Sequence, residues 1–423
     1  MAYWFEEPGI KAILPLALAD CVKGLNTLFK TPAFIMGFNV FPEGMVIGPT
    51  TADFIAVHAP KKRAFFVADE VSQRYAKRAK DYFSRNGFTT EIWPNAMPEV
   101  PLENVKDCAN AMLSFEPDVI FAVGGGSVID GAKAAWILYE HPEIKDLTVE
   151  VTPLSLLGLR KKAFFVAVPT TSGTGSECTA VSVLHDTKAN RKVPIANPEL
   201  LPDVAILYPE FTVFMPPRLT VGTGLDALAH AMDAAVTPAG NEFTVAMSVA
   251  AIKLIFKYLP RVYKFPKDRE ARYRMMLAAS AAGVGFGQSG CALTHSLGHS
   301  VGALFHIHHG LAVGIFIPYC FQFYRPVTDK YLEICHGLRI EGKTDQESFE
   351  NLIKATKELF GSVDVPVSLK ELGIPKDEFE RQMPTLVKYS LEDIDSIFSP
   401  RPLTQEQCER MLWYAYEGRD IDF

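Results

Sequence analysis

Between residues 64 and 207 the chain alternates short apolar runs with longer stretches in which polar residues recur. The predicted elements, strands at 64–68, 88–93, 118–123 and 163–168 and helices at 72–86 and 102–115, follow from this alternation. Strands that are apolar on both sides and separated by helices are typical of a parallel sheet covered on both faces. The pattern predicts an α/β domain, which we assign to residues 36–218.

Beyond Pro216 strand-like runs give way to long helical periods. Thr344 and Thr404 each precede Glu or Gln by three residues, which is the capping-box signature of a helix start. Residues 278–303 are rich in alanine, glycine and serine, small residues that allow backbones to approach closely. The pattern predicts an all-helical domain over residues 219–423.

The first 35 residues belong to neither pattern. An apolar run at 13–18, followed by Leu25 and Leu28, favours an ordered helix. We treat residues 1–35 as an N-terminal extension and predict that it is helical.

Composition narrows the class of protein. At 423 residues the chain is long enough for two or three domains. Its 42 basic and 49 acidic residues give a net charge of −7, which argues against nucleic acid and anionic membrane surfaces as partners. Seven scattered cysteines without a C-x-x-C pair fit reduced thiols in the cytoplasm. The acidic Glu6 and Glu7 do not fit a secretory signal, and we expect no membrane span.

A glycine loop, residues 124–127 (GGGS), follows the strand predicted at 118–123. Backbone N–H groups and the helix dipole at such a strand-to-helix turn favour an anion, and glycine lets a pyrophosphate come close. The match to the fingerprint G-x-G-x-x-G is incomplete, because Ile129 occupies the third glycine position. The alternative is a tight turn in which Ser127 is the N-cap and Asp130 completes a capping box.

Two further features favour a nucleotide. Residues 170–176 form a second loop rich in Gly, Thr and Ser after the next strand, and two such loops suit a crevice-bound nucleotide. Asp69 ends the strand at 64–68, where an acid would favour NAD and repel the additional phosphate of NADP. Asp69 precedes the glycine loop, whereas the usual acid follows it by ~20 residues, so we expect a different winding of the sheet.

Histidines cluster in the second half of the chain. Five of the ten lie within fifteen residues, at positions 295, 299, 306, 308 and 309. Asp226 and His230 are four residues apart and would share one helix face, and His295 and His299 repeat this spacing. A carboxylate with several imidazoles suits Fe²⁺ or Zn²⁺. The alternatives are hydrogen-bonded core histidines and, for Asp226, a first-turn acid facing a helix dipole.

Four segments carry a resemblance to a known family. They are GGGSVIDGAK at 124–133, PTTSGTGSE at 169–177, DALAHA at 226–231, and HSLGH at 295–299 continued to His309-Gly310. In this order they resemble the iron-containing (group III) alcohol dehydrogenase family, from about residue 38 to the C-terminus. The resemblance implies an α/β NAD(P)-binding domain, then an all-helical metal-binding domain, with the metal in the cleft between them. Dehydroquinate synthase has a similar architecture.

The resemblance also implies roles for single residues. The implied metal ligands are Asp226, His230, His295 and His309. His299 is implied as a close non-ligand that relays a proton or shapes the pocket. The implied cofactor-binding residues are Asp69, Gly125, Gly126, Ser127, Asp130, Thr170, Thr171, Thr174, Thr179 and Lys192. The expected cofactors are NAD, with NADP open, and Fe²⁺, with Zn²⁺ open.

These roles predict a metal-dependent alcohol dehydrogenase and aldehyde reductase linked to NAD(P). The metal would act as a Lewis acid on the alcohol oxygen while hydride passes to the nicotinamide. Glycerol dehydrogenases and hydroxyacid-oxoacid transhydrogenases are alternatives among oxidoreductases. A dehydroquinate synthase-like lyase and a non-catalytic nucleotide-binding subunit are alternatives outside them. We expect a small alcohol or aldehyde as the partner and a homo-oligomer, a dimer or higher, as the assembly.

Three positions depart from the family pattern. His308 stands where relatives usually carry Pro, so its imidazole could compete with His309 as a ligand, although the fourteen-residue spacing from His295 favours His309. Tyr208 stands where many relatives carry Asp, and Val100 where relatives often carry Asn near the nucleotide. These two substitutions bear on the details of cofactor binding.

Overall fold

The computed structural model describes residues 3–7, 29–44, 46–189 and 191–423. The chain divides into two compact units. The described part of the α/β unit is 3–7, 29–44, 46–171, 175–189 and 191–213, and that of the helical unit is 172–174 and 214–423. The division that the sequence predicted after residue 218 falls inside the first long helix of the helical unit, Pro217–Val236.

The α/β unit is built on a six-stranded parallel sheet. The strands of this unit are β1 Ala33–Met36, β2 Arg63–Val67, β3 Thr89–Trp93, β4 Val119–Gly124, β5 Phe164–Pro169, β6 Val181–Asp186, β7 Arg191–Ala196 and β8 Val204–Leu207. Six of them pair in the spatial order β1-β8-β5-β4-β2-β3, all parallel, while β6 and β7 form a separate antiparallel hairpin. The predicted α/β fold with a parallel sheet is confirmed.

Both faces of the sheet are buried, which explains the continuous apolar runs. Its helices are α1 Thr51–His58, α2 Gln73–Arg85, α3 Leu102–Phe115, α4 Gly126–Glu140 and α5 Leu147–Glu150. Phe65 and Ile120 belong to the core on one face, and their neighbours Phe66 and Phe121 belong to the core on the other. Because successive side chains point to opposite faces, the inner strands β4 and β8 need apolar residues at nearly every position.

The strand order reverses between β2 and β4. From β2 the chain passes through α2 to the outer strand β3 and returns through α3 to β4, on the other side of β2. Open α/β sheets bind ligands outside the carboxyl ends of the strands at such a switch point. Gly124 at the end of β4 pairs with Pro169 at the end of β5, so the two predicted nucleotide loops begin level with each other.

The described secondary structure of the helical unit consists of helices, as predicted. They are α6 Pro217–Val236, α7 Glu242–Lys264, α8 Arg269–Ser289, α9 Leu293–Phe305, α10 His309–Ile315, α11 Ile317–Tyr324, α12 Tyr331–Leu338, α13 Asp345–Ser362, α14 Lys376–Glu392 and α15 Gln405–Glu417. Thr404 forms its predicted capping box with Gln407. Thr344 caps α13, but the Glu347 carboxylate accepts from the Lys343 N–H at 2.7 Å, so that box is only half formed.

The N-terminal extension was predicted to end as a helix at residue 35. Residues 33–36 instead form β1, the edge strand beside β8. Trp4–Glu6 is a single 3₁₀ turn, and the Trp4 indole Nε1–H donates to the Pro194 carbonyl of β7 at 2.8 Å. The predicted apolar helix at 13–18 lies outside the described residues.

By length and composition alone, α7 could cross a membrane. This is weak support for a span, because core helices have the same properties, and Ile252, Ile255 and Leu259 of α7 are fully buried in the helical core. In the part of the chain that the structure describes, six cysteines are buried and none forms a disulfide. Cys21 lies outside that part.

Candidate functional site

Three helices of the helical unit bring the four predicted metal ligands together. Asp226 and His230 share one face of α6, His295 lies on α9, and His309 is the first residue of α10. Asp226 Oδ1 lies 3.1 Å from His309 Nε2 and 3.9 Å from His230 Nδ1. The rings of His230 and His295 stack with centroids 4.4 Å apart. One donor atom each of Asp226, His295 and His309 lies within 4.8 Å of the others.

Glycines allow these helices to approach so closely. A methyl group on Gly310 of α10 would lie 1.9 Å from the Gly222 carbonyl oxygen of α6. A methyl group on Gly298 of α9 would lie 2.6 Å from the Val313 Cα of α10. Contacts this short exclude any larger residue, so the small-residue pattern of the sequence sets the spacing of the donor atoms.

Burial and the charges of neighbouring residues shift the pKa values of the proposed ligands toward the protonation states that bind a cation. Burial opposes ionisation of Asp226, but the neighbouring His230 and His309 outweigh it and hold the pKa of Asp226 well below its usual value. Burial lowers the pKa of His230 and of His295 to about 3, so both imidazoles are neutral at neutral pH. One carboxylate and neutral imidazoles are the protonation states that a divalent metal requires.

Two buried imidazole nitrogens test whether the site fits a metal. His230 Nδ1 and His295 Nε2 have no hydrogen-bond partner among the described residues. Buried polar atoms are normally satisfied, so two unpartnered imidazole nitrogens beside a carboxylate fit a site for a bound cation. The donor set of one carboxylate and three imidazoles fits Fe²⁺ or Zn²⁺.

His308 is absent from the groups of donor atoms that lie together, although its Nδ1 is also buried without a hydrogen-bond partner in the described residues. It is the N-cap residue of α10, and its ring lies against Gly222, where an added methyl group would be 2.5 Å from Nδ1. Burial lowers the pKa of His308. His309, which the fourteen-residue spacing favours, is the histidine that contacts Asp226.

His299 and two acids form a second group beside the ligands. His299 Nδ1 lies 2.9 Å from Asp393 Oδ2 and 3.9 Å from Asp395 Oδ2, and its ring stacks on His309 at 5.2 Å. Burial opposes ionisation of Asp393, but His299 outweighs it and lowers its pKa, while burial and the Asp393 charge raise the pKa of Asp395 to about 7. Sequence reasoning missed both acids, because nothing in their local spacing links them to residue 299.

A third acid, Asp233, also escaped the sequence analysis. It lies on α6 seven residues after Asp226, and its Oδ2 is 3.3 Å from His295 Nδ1. Burial raises the pKa of Asp233 to about 7. A spacing of seven residues returns to the same helix face, so the local pattern did contain a signal for this residue.

In the α/β unit the glycine loop joins β4 to α4. Gly125 is the N-cap of α4 and has an extended backbone, and the helix has no side-chain cap within the described chain. The predicted alternative, a capping box made by Ser127 and Asp130, is therefore wrong. A methyl group on Gly124 would clash with Val128 at 2.4 Å, whereas one on Gly125 would lie 3.5 Å from Thr171. Packing requires glycine at 124 but leaves space beside 125.

A buried lysine organises the loop that follows β5. The ammonium group of Lys133 has five oxygen atoms within 3.3 Å, contributed by Ser176, Thr179 and Val181. Asp130 accepts hydrogen bonds from the Ser176 hydroxyl and from the Val183 N–H. Burial lowers the pKa of Lys133 to about 8, and Asp130 partly opposes this. Asp130 and Thr179 therefore have structural hydrogen bonds in this loop. Their predicted roles in cofactor binding stay predictions.

The remaining predicted cofactor residues are distributed as follows. Asp69 follows β2, and its carboxylate accepts from the Ser72 N–H at 2.6 Å. Thr170 donates its N–H to the Gly124 carbonyl at 2.9 Å, which joins the two loops. Lys192 on β7 is exposed and lies 3.3 Å from Glu99. Thr174 belongs to the helical unit, whereas the other predicted cofactor residues belong to the α/β unit.

A parallel sheet with a glycine loop at its switch point, and a helical unit with a carboxylate-imidazole donor set, fit the class of metal- and nucleotide-dependent enzymes. Comparison with known proteins agrees. The family profile "Iron-containing alcohol dehydrogenase" matches residues 42–209, and "Fe-containing alcohol dehydrogenase family, C-terminal" matches residues 220–416.

Relatives extend the match to most of the chain. The NADPH-dependent butanol dehydrogenase of Clostridium saccharobutylicum is 37% identical over 355 residues, which are 82% of this chain and 89% of that protein. An iron-containing alcohol dehydrogenase structure from Thermococcus thioreducens has a TM-score of 0.81 at 28% identity and covers 93% of this chain and 100% of that one. Sulfoacetaldehyde reductase from Bifidobacterium kashiwanohense in complex with NAD⁺ has a TM-score of 0.78 at 25% identity, with 93% and 99% covered.

The chain belongs to the iron-containing alcohol dehydrogenase family. It is an enzyme, an NAD(P)-linked oxidoreductase whose substrates are small alcohols and aldehydes. The family resemblance and the enzyme class predicted from the sequence are thereby confirmed.

Proposed function

We propose that this chain interconverts short-chain primary alcohols and their aldehydes with NAD as its coenzyme and Fe²⁺ as its metal. The proposed ligands are Asp226, His230, His295 and His309. The observation that carries the proposal is the pair of buried, unpartnered imidazole nitrogens beside the ionised Asp226. The butanol dehydrogenase named above supports a short-chain alcohol as substrate.

The bound ion supplies Lewis acidity toward the alcohol or carbonyl oxygen. Asp226 contributes the single negative charge of the ligand set, and buried His230 and His295 hold their lone pairs unprotonated at working pH. We assign His299 to the transfer of the hydroxyl proton, because its ring stacks on His309 and its Nδ1 faces Asp393 at 2.9 Å. Its side chain is 39% exposed, which gives the proton a route to water.

We propose NAD rather than NADP because of Asp69. Its carboxylate stands at the end of β2, where it would accept hydrogen bonds from the ribose hydroxyls and repel a 2′-phosphate. The relatives differ in this respect, since one is named NADPH-dependent and another is described with NAD⁺. We expect Asp69→Ser to shift the NAD/NADP ratio of kcat/KM toward NADP by roughly tenfold. An unchanged ratio would remove Asp69 from the coenzyme site.

The proposed function is tested by anaerobic purification, metal analysis and a screen of primary alcohols, diols and aldehydes with NAD(H) and NADP(H). We expect bound iron and NAD-linked turnover of short primary alcohols. Iron-loaded protein that oxidises none of these alcohols would contradict the proposal. Exchange between a hydroxyacid and a second carbonyl without net NADH release would identify a transhydrogenase instead.

We also propose that the enzyme acts in the cytoplasm as a homo-oligomer. Buried cysteines without a disulfide in the described chain support a reducing compartment. Light scattering on the metal-loaded enzyme tests the assembly, and a mass equal to one chain of 46.8 kDa would exclude a homo-oligomer.

A further inference from the structure

Asp233 is a fully buried acid that the mechanism above does not use. It follows His230 by three residues on α6, so the helix that carries two proposed ligands also carries this carboxylate. We propose that Asp233 is a positioning residue that orients the His295 imidazole for the metal. The inference rests on the proposed function, because it takes His295 as a ligand.

The contact with His295 decides which nitrogen of the ring is available. His295 Nδ1 faces two oxygen atoms, the Thr294 hydroxyl oxygen at 3.1 Å and Asp233 Oδ2 at 3.3 Å. Because the Thr294 hydroxyl donates its own proton to Asp233, both oxygens are acceptors toward His295, and Nδ1 carries the ring proton. The lone pair then resides on His295 Nε2, which is buried and has no partner within the described residues. A carboxylate behind a ligating histidine fixes its tautomer and raises its basicity.

The same carboxylate also holds the start of the helix on which His295 lies. The N-cap residue of α9 is Ala292, whose side chain cannot accept a hydrogen bond. Asp233 Oδ2 takes that role from α6: it accepts from the Ala292 N–H at 2.8 Å and from the Thr294 hydroxyl. A negative charge at a helix N-terminus is favourable, so Asp233 fixes α9 and the His295 ring together.

A purely structural role is the competing explanation. It predicts that loss of Asp233 lowers the stability of the metal-free protein and leaves the affinity of folded protein for metal unchanged. A positioning role predicts a loss of metal affinity even where the fold persists. Affinity for a metal alone separates the two, since it requires neither coenzyme nor substrate.

The experiment compares Asp233→Ala, Asp233→Asn and a matched control, Thr356→Val, which removes a buried hydroxyl of α13 that donates to the Leu352 carbonyl and not to Asp233. Affinity for Co²⁺ is measured on metal-free, full-length protein by competition with a chelator, beside thermal unfolding without metal. We expect Asp233→Ala to weaken Co²⁺ binding about 10- to 100-fold, and Asp233→Asn, which lacks only the charge, by about fivefold. Thr356→Val should stay within about twofold.

Folded Asp233→Ala protein that binds Co²⁺ within twofold of the parent would overturn the proposal. If Asp233→Ala does not fold, Asp233→Asn decides, and an affinity within twofold of the parent again overturns it. Asp226→Ala separates this failure from failure of the proposed function. If Asp226→Ala still binds Co²⁺ like the parent, the ligand set is wrong; if it loses Co²⁺ while both Asp233 variants retain it, only the positioning role is wrong.

Discussion

Each unit of the molecule buries a cluster of ionisable groups, and the two clusters are satisfied to very different degrees. In the α/β unit the Lys133 ammonium group has five oxygen atoms within 3.3 Å. In the helical unit His230 Nδ1 and His295 Nε2 have no partner in the described structure. Lys133, His230 and His295 are all buried, so exposure does not explain the difference.

The difference separates a scaffold from a binding site. Buried polar groups that are fully paired rigidify their surroundings, and Lys133 does so for the loop that carries Ser176 and Thr179. Buried lone pairs that are left unpaired cost free energy unless a ligand takes them. The helical unit has two such nitrogens, His230 Nδ1 and His295 Nε2, as expected of the proposed cation site.

The largest expected effect comes from breaking the unpaired cluster. Asp226→Ala removes the only carboxylate of the proposed ligand set, so metal content and activity should fall together, with kcat/KM down by roughly 10³-fold or more. Metal analysis and steady-state kinetics measure the two losses. His336→Ala, at a mostly exposed histidine paired with Glu341, is the control and should change neither. Parental metal content in Asp226→Ala would disprove the site.

The paired cluster should respond in stability rather than in metal content. Lys133→Met leaves the Ser176, Thr179 and Val181 carbonyls without their buried donor, so the free energy of unfolding should fall by about 3 kcal/mol. Denaturant unfolding measures this, with iron content expected to stay unchanged. Lys192→Met, at an exposed lysine, serves as the control and should change stability by less than about 0.5 kcal/mol. A loss of iron in Lys133→Met would contradict the prediction that this cluster affects stability and not metal content.

A smaller effect is expected in the glycine loop, where substitutions of two adjacent glycines should affect packing and coenzyme binding separately. Gly125→Ala has room in the free protein, so stability should stay constant. The KM for NAD should rise about tenfold, because the methyl group would occupy the space proposed for the pyrophosphate. Gly124→Ala is the matched variant, and its clash with Val128 should lower the melting temperature. Coenzyme titrations and thermal scans test both. An unchanged KM in Gly125→Ala would argue against a pyrophosphate on this loop.

The smallest effect concerns the acid pair beside His299. The pKa of Asp395 is about 7 in the fold against ~3.9 unfolded, so the stability that this carboxyl contributes is present below pH 4 and is lost as pH rises through 7. Asp395→Asn avoids this loss. We expect its stability relative to the parent to be greater at pH 8 than at pH 5 by about 1–2 kcal/mol in metal-free protein. The exposed Asp345→Asn should show no such change, and a flat difference for Asp395→Asn would contradict the assignment.

The parts of this protein that the sequence predicted are those encoded by local spacing. Continuous apolar runs predicted the parallel sheet, because a strand buried on both faces needs apolar residues throughout. The four-residue spacing of Asp226 and His230 predicted that they share a helix face, and α6 has that arrangement. The predicted helical extension is wrong at residues 33–35, since an edge strand of four residues carries too little periodicity to be recognised.

What only the tertiary structure decided is which distant groups meet. Nothing local connects Asp393 with His299 across 94 positions, or Lys133 with Thr179 across 46. The sequence alone determined the fold class, the glycine loop and the candidate donors, because periodicity and short spacings specify the face on which a side chain lies. Tertiary packing decided that His309 rather than His308 contacts Asp226 and that Asp233 backs His295. Those contacts depend on how closely the glycines let α6, α9 and α10 approach one another. The distance between two helices cannot be predicted from the spacing of residues along one of them.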